Sequence, residues 1–368
     1  MAPRLGRRLT TDMATVTATD NAAVEPSRAS GATGPVGRTV EWLAERPRRG
    51  VLVVVGLYLL QAAWTHALLW AGDRVAAGTV DSSALLLAIY SPLTLGGLAI
   101  GVHIARWALT SFWPATGWPD SERADWAGRF MATQPRYEWA ALLLGGVAGV
   151  LALAATPQSL LGPAEGRLLV YIAYAPAFLL GYSLSLVAFL ITIGWLRLIA
   201  QIHREATAID AFDRAPQYAF SRVTAIIGLS YAAVAYYSFT VNGAFQAGNL
   251  PSLAFLVATM LFAIVAFVAP LWGIHERLVG EKDRLLLDVE RRVTRLAAEL
   301  YARIDADDFV ATAPLNATMS GLITLRDRAS RLPTWPWPPQ LLGGFVSALL
   351  LPVVVYMLTR FASNLVGT

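Results

Sequence analysis

Four histidines, twelve tyrosines and no cysteine set the range of side-chain chemistry open to this chain. His66, His103, His203 and His275 fall in four different segments, without the close spacing that a tetrahedral zinc site asks of its ligands. The absence of thiols removes disulfides, thiolate metal centres and lipidated cysteines. His275-Glu276-Arg277-Leu278 has the order of a phosphoacceptor box, but the chain has no room for an ATP-binding domain. It reads instead as an interfacial histidine at the end of an apolar helix. No stretch assembles a nucleophile, a base and a metal ligand, so the expectation is a protein that is not an enzyme and has no cofactor and no metal.

The residues best suited to binding are aromatic. His66, Tyr90, Tyr171, Tyr174, Tyr236 and Tyr237 recur in one half of their apolar segments, where a few polar groups among apolar neighbours make a small-molecule pocket. The same tyrosines serve equally as interfacial anchors and interhelical hydrogen-bond donors.

Those residues sit on elements of one kind. With 56% hydrophobic and 15% charged residues, the chain is far more apolar than a soluble domain, where roughly 25% are charged. Seven runs, near residues 51–71, 83–105, 139–156, 168–196, 223–242, 251–275 and 340–360, are long enough for a hydrocarbon layer about 30 Å thick. None alternates as a barrel strand would. The fold class expected is therefore all-α, a polytopic bundle of seven transmembrane helices. No Asp, Glu, Lys or Arg falls in the middle of a run, which disfavours a proton-coupled transporter, and no run offers a lysine for a retinal Schiff base.

Orientation follows from charge. With the amino terminus inside, 26 of the 29 basic residues fall on the inner side and only Arg74, Arg167 and Arg360 on the other. The expected topology is N-in and C-out, in the cell membrane. All but Lys282 of these basic residues are arginines. They are spread over several loops and form no single stripe, so no nucleic-acid partner is expected.

Four parts are expected in order. Residues 1–38, rich in Ala, Thr, Gly and Pro, read as a disordered cytosolic tail, and Arg7-Arg8 lacks the apolar stretch of an export signal. Residues 39–275 hold the first six helices. Trp113, Trp118, Trp126 and Trp139 place the first inner link along the headgroups, and the fourth helix is expected to overrun through Ile209 to Phe212, with an elbow before Pro216. Residues 276–339 read as a helical hairpin whose only possible break from the sixth helix is Gly280, folding back near Asp305 to Pro314. Its apolar stripe Leu285, Val289, Val293, Leu296, Leu300 and Ile304 needs cover, either from the returning stripe Leu315, Met319, Leu322 and Ile323, from the fourth helix, or from another subunit. Residues 340–368 are the seventh helix, where Gly343, Gly344, Ser347, Pro352, Thr359 and Asn364 are candidates for a pore and hinge. Pro92, Pro176 and Pro270 bend the second, fourth and sixth helices.

The stretches IDAFDRAPQYAFSRVT (209–224), HERLVGEK (275–282) and LPTWPW (332–337) resemble a family of uncharacterised prokaryotic multi-pass membrane proteins; the likeness covers roughly the C-terminal half and implies no activity. In layout alone, the chain is similar to the insect odorant and gustatory receptor channels. That likeness implies a homo-oligomer assembled by inner helical extensions, a pore lined by the seventh helix and ligands entering from outside. The expectation is a ligand-gated channel subunit; the alternative is a membrane sensor or scaffold whose hairpin docks a soluble partner.

Overall fold

The computed structural model of the protein describes residues 33–155, 167–210, 212–241 and 250–366. Among them there is no strand. The helices are α1 (Pro35–Glu45), α2 (Pro47–Ala71), α3 (Ser82–Thr116), α4 (Arg123–Arg129), α5 (Pro135–Ala154) and α6 (Arg167–Glu205). They are followed by α7 (Arg214–Gln217), α8 (Ala219–Val241), α9 (Leu250–Val268), α10 (Trp272–Asp305), α11 (Phe309–Ser330) and α12 (Pro339–Val366). Six of the helical spans are long and apolar enough to cross a membrane. In α12, whose helix is 28 residues long, the fully described apolar part is Pro339–Leu351.

These long apolar helices are apolar around their whole circumference, so burying one face still leaves large side chains outside. Leu52, Leu59 and Leu60 of α2, Leu143, Leu144 and Val147 of α5, Phe255 and Leu261 of α9, and Leu350 and Leu358 of α12 all face outward. A helix apolar on every side suits hydrocarbon, where all its backbone groups must be bonded within the helix.

Helix α3 is the hub, packed against α1, α2, α6 and α8; α5 lies on α6, and α9 and α12 lie on α8. Asp81 caps α3 through Oδ1, which accepts from the Ala84 amide at 2.9 Å. The helix runs through Pro92 and Pro114 and stops at Gly117, whose φ of 73° is the left-handed geometry that glycine adopts freely. Its last carbonyls then accept from the next chain segment, with Thr207 N to Thr116 O at 2.9 Å and Ala208 N to Ala115 O at 3.1 Å.

That exchange explains the first correction to the sequence reading. The helix expected to overrun to Phe212 ends at Glu205, because the amides of Thr207 and Ala208 are committed to α3. The elbow is present, with Asp213 Oδ1 accepting from the Ala215 amide at 3.2 Å at the start of α7.

Residues 35–38, expected to belong to a disordered tail, are helical, since α1 starts at Pro35. Proline at the first helical position loses no hydrogen bond. The amides of that first turn that lack a helical partner point at Glu138 of α5, which is 0% exposed. Its Oε1 accepts from the Gly37 amide at 3.0 Å and from the Val36 amide. Where α1 meets α3, Glu41 pairs with Arg106 at 2.7 Å. Glu138→Ala is expected to remove about 2 kcal/mol, the cost of a lost cap with two amides left unbonded. Hydrogen exchange across residues 36–40 should rise in that variant while α6 is unchanged; equal protection would show that Glu138 does not hold α1.

Further corrections concern the loops. Trp113 and Trp126 lie in the protein core and not among headgroups, with Trp118 stacked on Trp126 at 4.3 Å; Trp139 alone of the four is exposed. Gly280 lies within unbroken α10, and the sixth helix instead changes to a 3-10 turn at Ala269–Leu271, around Pro270. The hairpin turn is only Ala306 to Asp308, with Asp307 at φ 56°, so Pro314 falls inside α11.

Candidate functional site

Of the aromatic pocket set, the structure brings His66, Tyr171 and Tyr174 into one region and sets Tyr90 apart from them. His66 is buried, with both ring nitrogens in use: Nδ1–H donates to Ala62 O at 2.8 Å and Nε2 accepts from the Asp81 amide at 3.0 Å. These partners define a neutral ring with its proton on Nδ1. Tyr171 and Tyr174 of α6 pack nearby with Leu69, Ala84 and Val170. Tyr90 sits instead against Gly181, deeper along α3. Tyr236 belongs to α8, which packs chiefly on α3, α9 and α12. Tyr237 lies outside the residues whose side chains are described, as do Pro352, Thr359 and Asn364.

Two further polar residues, absent from the aromatic set, lie in the same region. Gln61 Nε2 donates to Ser91 Oγ at 2.8 Å, and Thr65 Oγ1 donates to Gln61 O and to Ala173 O at 2.9 and 3.2 Å. Together they stitch α2 to α3 and α6. Their signal in the sequence is a polar pair at i, i+4 on an otherwise apolar helix.

On α12, Gly343, Gly344 and Ser347 are exposed, and a Cβ added at either glycine would meet nothing. Between them and the bundle, Phe345 is the anchoring side chain. It is buried over Gly228 of α8, where an added Cβ would lie 2.6 Å from its ring.

The hairpin stripe finds its cover within the chain. Leu285, Val289, Val293, Leu296 and Leu300 are half-buried or buried, and α10 packs on α11, whose Leu315, Met319 and Leu322 are half-buried in turn. Ile304 and Ile323 remain exposed. Of the three covers considered for the stripe, the structure shows the returning helix, and Leu285 also packs on the main core beside α6.

The most elaborate arrangement lies where the hairpin joins the bundle. His203 of α6 is 0% exposed, edge-on to Phe112 of α3 and Phe220 of α8, and its Nδ1–H donates to Pro270 O at 3.1 Å. Nε2 has no partner among the described residues. This histidine therefore pins the 3-10 bend between α9 and α10 to the centre of the bundle. Two cations close helix C-termini, where carbonyls lack partners and the dipole favours positive charge. The Arg277 guanidinium donates to Arg204 O and Ala206 O at the end of α6. Lys282, the single lysine, donates from Nζ to Ser330 O at 2.6 Å and Leu332 O at 3.1 Å at the end of α11.

A column of five rings runs through the same junction. His275 stacks on Trp335 at 3.8 Å, Trp335 on Trp337 at 4.5 Å, Trp337 on Phe267 at 4.9 Å and Phe267 on Phe345 at 4.1 Å. It links α10, the segment before α12, α9 and α12 in turn. His275 Nδ1–H also donates to Thr334 O at 2.9 Å. The three stretches 209–224, 275–282 and 332–337, far apart in sequence, all contribute side chains here.

Beside the column, a cleft of about 480 Å³ opens between the last turn of α6 and the α9–α10 bend. Arg204, Trp272, Gly273, Glu276 and Arg277 line it. Compared with protein-family models, curated proteins and solved structures, the chain matches none, so what can be said of its function rests on its own residues.

Proposed function

We propose that the chain is a seven-helix protein of the cell membrane, with its amino terminus and hairpin in the cytosol, and that copies of it assemble into a channel walled by α12. Six apolar spanning helices and the 28-residue α12 support seven crossings. The split of basic residues supports the orientation, since 26 of 29 fall at the hairpin end of that arrangement.

The observation that carries the channel reading is the free face of α12. The helix is held to its own bundle by α8 and the Phe345 knob, while Gly343, Gly344 and Ser347 point away from both. Small residues facing lipid gain nothing, whereas between helices they permit close approach. The ring column joins this helix to the hairpin, so a movement of the hairpin reaches the pore wall. The small-molecule ligand expected on the outer side would act through α3 and α6 near His66, Tyr171 and Tyr174.

Because the protein has no cysteine, single substitutions test this cleanly. Gly343→Cys or Ser347→Cys should cross-link between copies in native membrane, and purified protein in a planar bilayer should conduct and be blocked by a thiol reagent at Ser347→Cys. A monomer that never conducts would overturn the reading.

A second reading, a sensor or scaffold that docks a soluble partner, is favoured by the hairpin itself. Its stripe is covered within the chain, and its tip exposes Tyr301, Ile304 and Val310, the last 91% exposed. It predicts a monomer in cross-linking and no conductance.

A further inference from the structure

The geometry points to the cleft beside the α9–α10 bend as a binding site for the phosphodiester of an anionic phospholipid. This inference rests on the proposed membrane placement but is independent of whether the protein conducts. The cleft lies at the level where the chain changes solvent: α9 is apolar throughout, and the first charged residues of α10 are Glu276 and Arg277. Trp272 is 49% exposed at that level, as an indole at the headgroup boundary would be. Its Nε1–H donates to Glu276 Oε1 at 2.7 Å, which takes up one oxygen of the one carboxylate lining the cleft.

Arg204 supplies the binding group. Its Nε–H donates to Ala200 O at 3.3 Å, and its two terminal nitrogens make no hydrogen bond or ion pair among the described residues. Its aliphatic stem lies over Gly273, where an added Cβ would be in ordinary contact at 3.5 Å from Arg204 Cγ and only a larger side chain would fill the floor of the cleft. Arg277 adds a second positive charge held in place by the carbonyls of Arg204 and Ala206. Two guanidinium groups against one carboxylate leave the cleft with net positive charge. The two non-bridging oxygens of a phosphodiester match the fork of a guanidinium, and the acyl chains would lie along the exposed apolar faces of α9.

The test uses the full-length protein in nanodiscs of phosphatidylcholine alone and of phosphatidylcholine mixed with phosphatidylglycerol, with inorganic phosphate added to the first as a separate arm. Thermal unfolding and the lipid retained in native mass spectrometry are the readouts. Phosphatidylglycerol is expected to stabilise the protein and remain bound; Arg204→Gln should weaken retention by about tenfold through the loss of one charge-assisted contact, and Gly273→Leu should weaken it by filling the floor of the cleft. Arg295→Gln, on the hairpin away from the bilayer, should leave it unchanged. If inorganic phosphate stabilises equally, the site takes a soluble oxyanion and the lipid assignment falls. Equal loss in Arg204→Gln and Arg295→Gln would mean diffuse surface attraction with no site, and no response to either phosphate source would also overturn it.

Discussion

Gly145→Val should separate α5 from α6 and cost about 3 kcal/mol, the upper end of what overpacking does to a filled interface. The two helices touch backbone to backbone at this point. A Cβ at Gly145 would lie 2.5 Å from Ser183 Cα and 2.6 Å from Tyr182 O, and one at Gly149 would lie 2.7 Å from Phe178 O. Backbone atoms of a helix cannot rotate out of the way as a side chain can. Gly145 and Gly149 are one helical turn apart, the small-xxx-small spacing that lets membrane helices approach closely. The contact also carries Ser183 Oγ donating to Leu142 O at 2.9 Å. Displacing α5 would withdraw Glu138 from the first turn of α1 as well. Gly146→Val is the internal control, because its added Cβ would meet only Ser183 Oγ, at 3.5 Å. Monodisperse yield and thermal unfolding in detergent should fall sharply for Gly145→Val and little for Gly146→Val. Indistinguishable behaviour of the two would refute the assigned packing.

Trp337→Ala is expected to cut the ring column at its centre. The indole stacks on Trp335 and on Phe267, and each such pair contributes about 1 kcal/mol beyond burial. With the cavity left behind, the loss should reach about 3 kcal/mol. Its consequence is local: the segment that carries α12 loses its attachment to α9 and α10, so hydrogen exchange should rise across residues 332–350 while α5 and α6 stay protected. Trp337→Phe should be much milder, because Nε1 of Trp337 is buried without an acceptor among the described residues and its loss sacrifices no hydrogen bond. If alanine at 337 left α12 as protected as before, the column would be ornament, and the proposed link between hairpin and α12 would go with it.

The long apolar helices are legible from the residues alone because run length is a local property. Twenty apolar residues exceed what a soluble helix needs on one side, whatever surrounds them. The α10 stripe is legible for a related reason, since a helix with one apolar face and one charged face declares which side needs cover. The elbow before Pro216 comes from a steric rule that acts between neighbours.

Other features depend on rotation and partner choice. A helix that is apolar all round has no preferred face, so nothing in its periodicity says which way it turns. Its azimuth is set by single fits such as Trp195 lying over Gly101, Phe345 over Gly228 and Gly145 against Ser183, and each needs the second helix in place. For this reason the tyrosine set looks convergent when only depth along each segment is known, and it divides once the rotations are known. The same holds for the hairpin stripe, whose need for cover is written in its own spacing while the identity of the cover is not. Glu138, His203 and the ring column leave no mark in the sequence because their partners lie about 100, 67 and 60 residues away in the chain. Local composition thus settles which segments prefer hydrocarbon. Which faces meet is settled in the folded chain, because that choice is made between side chains that are distant in sequence and chemically alike.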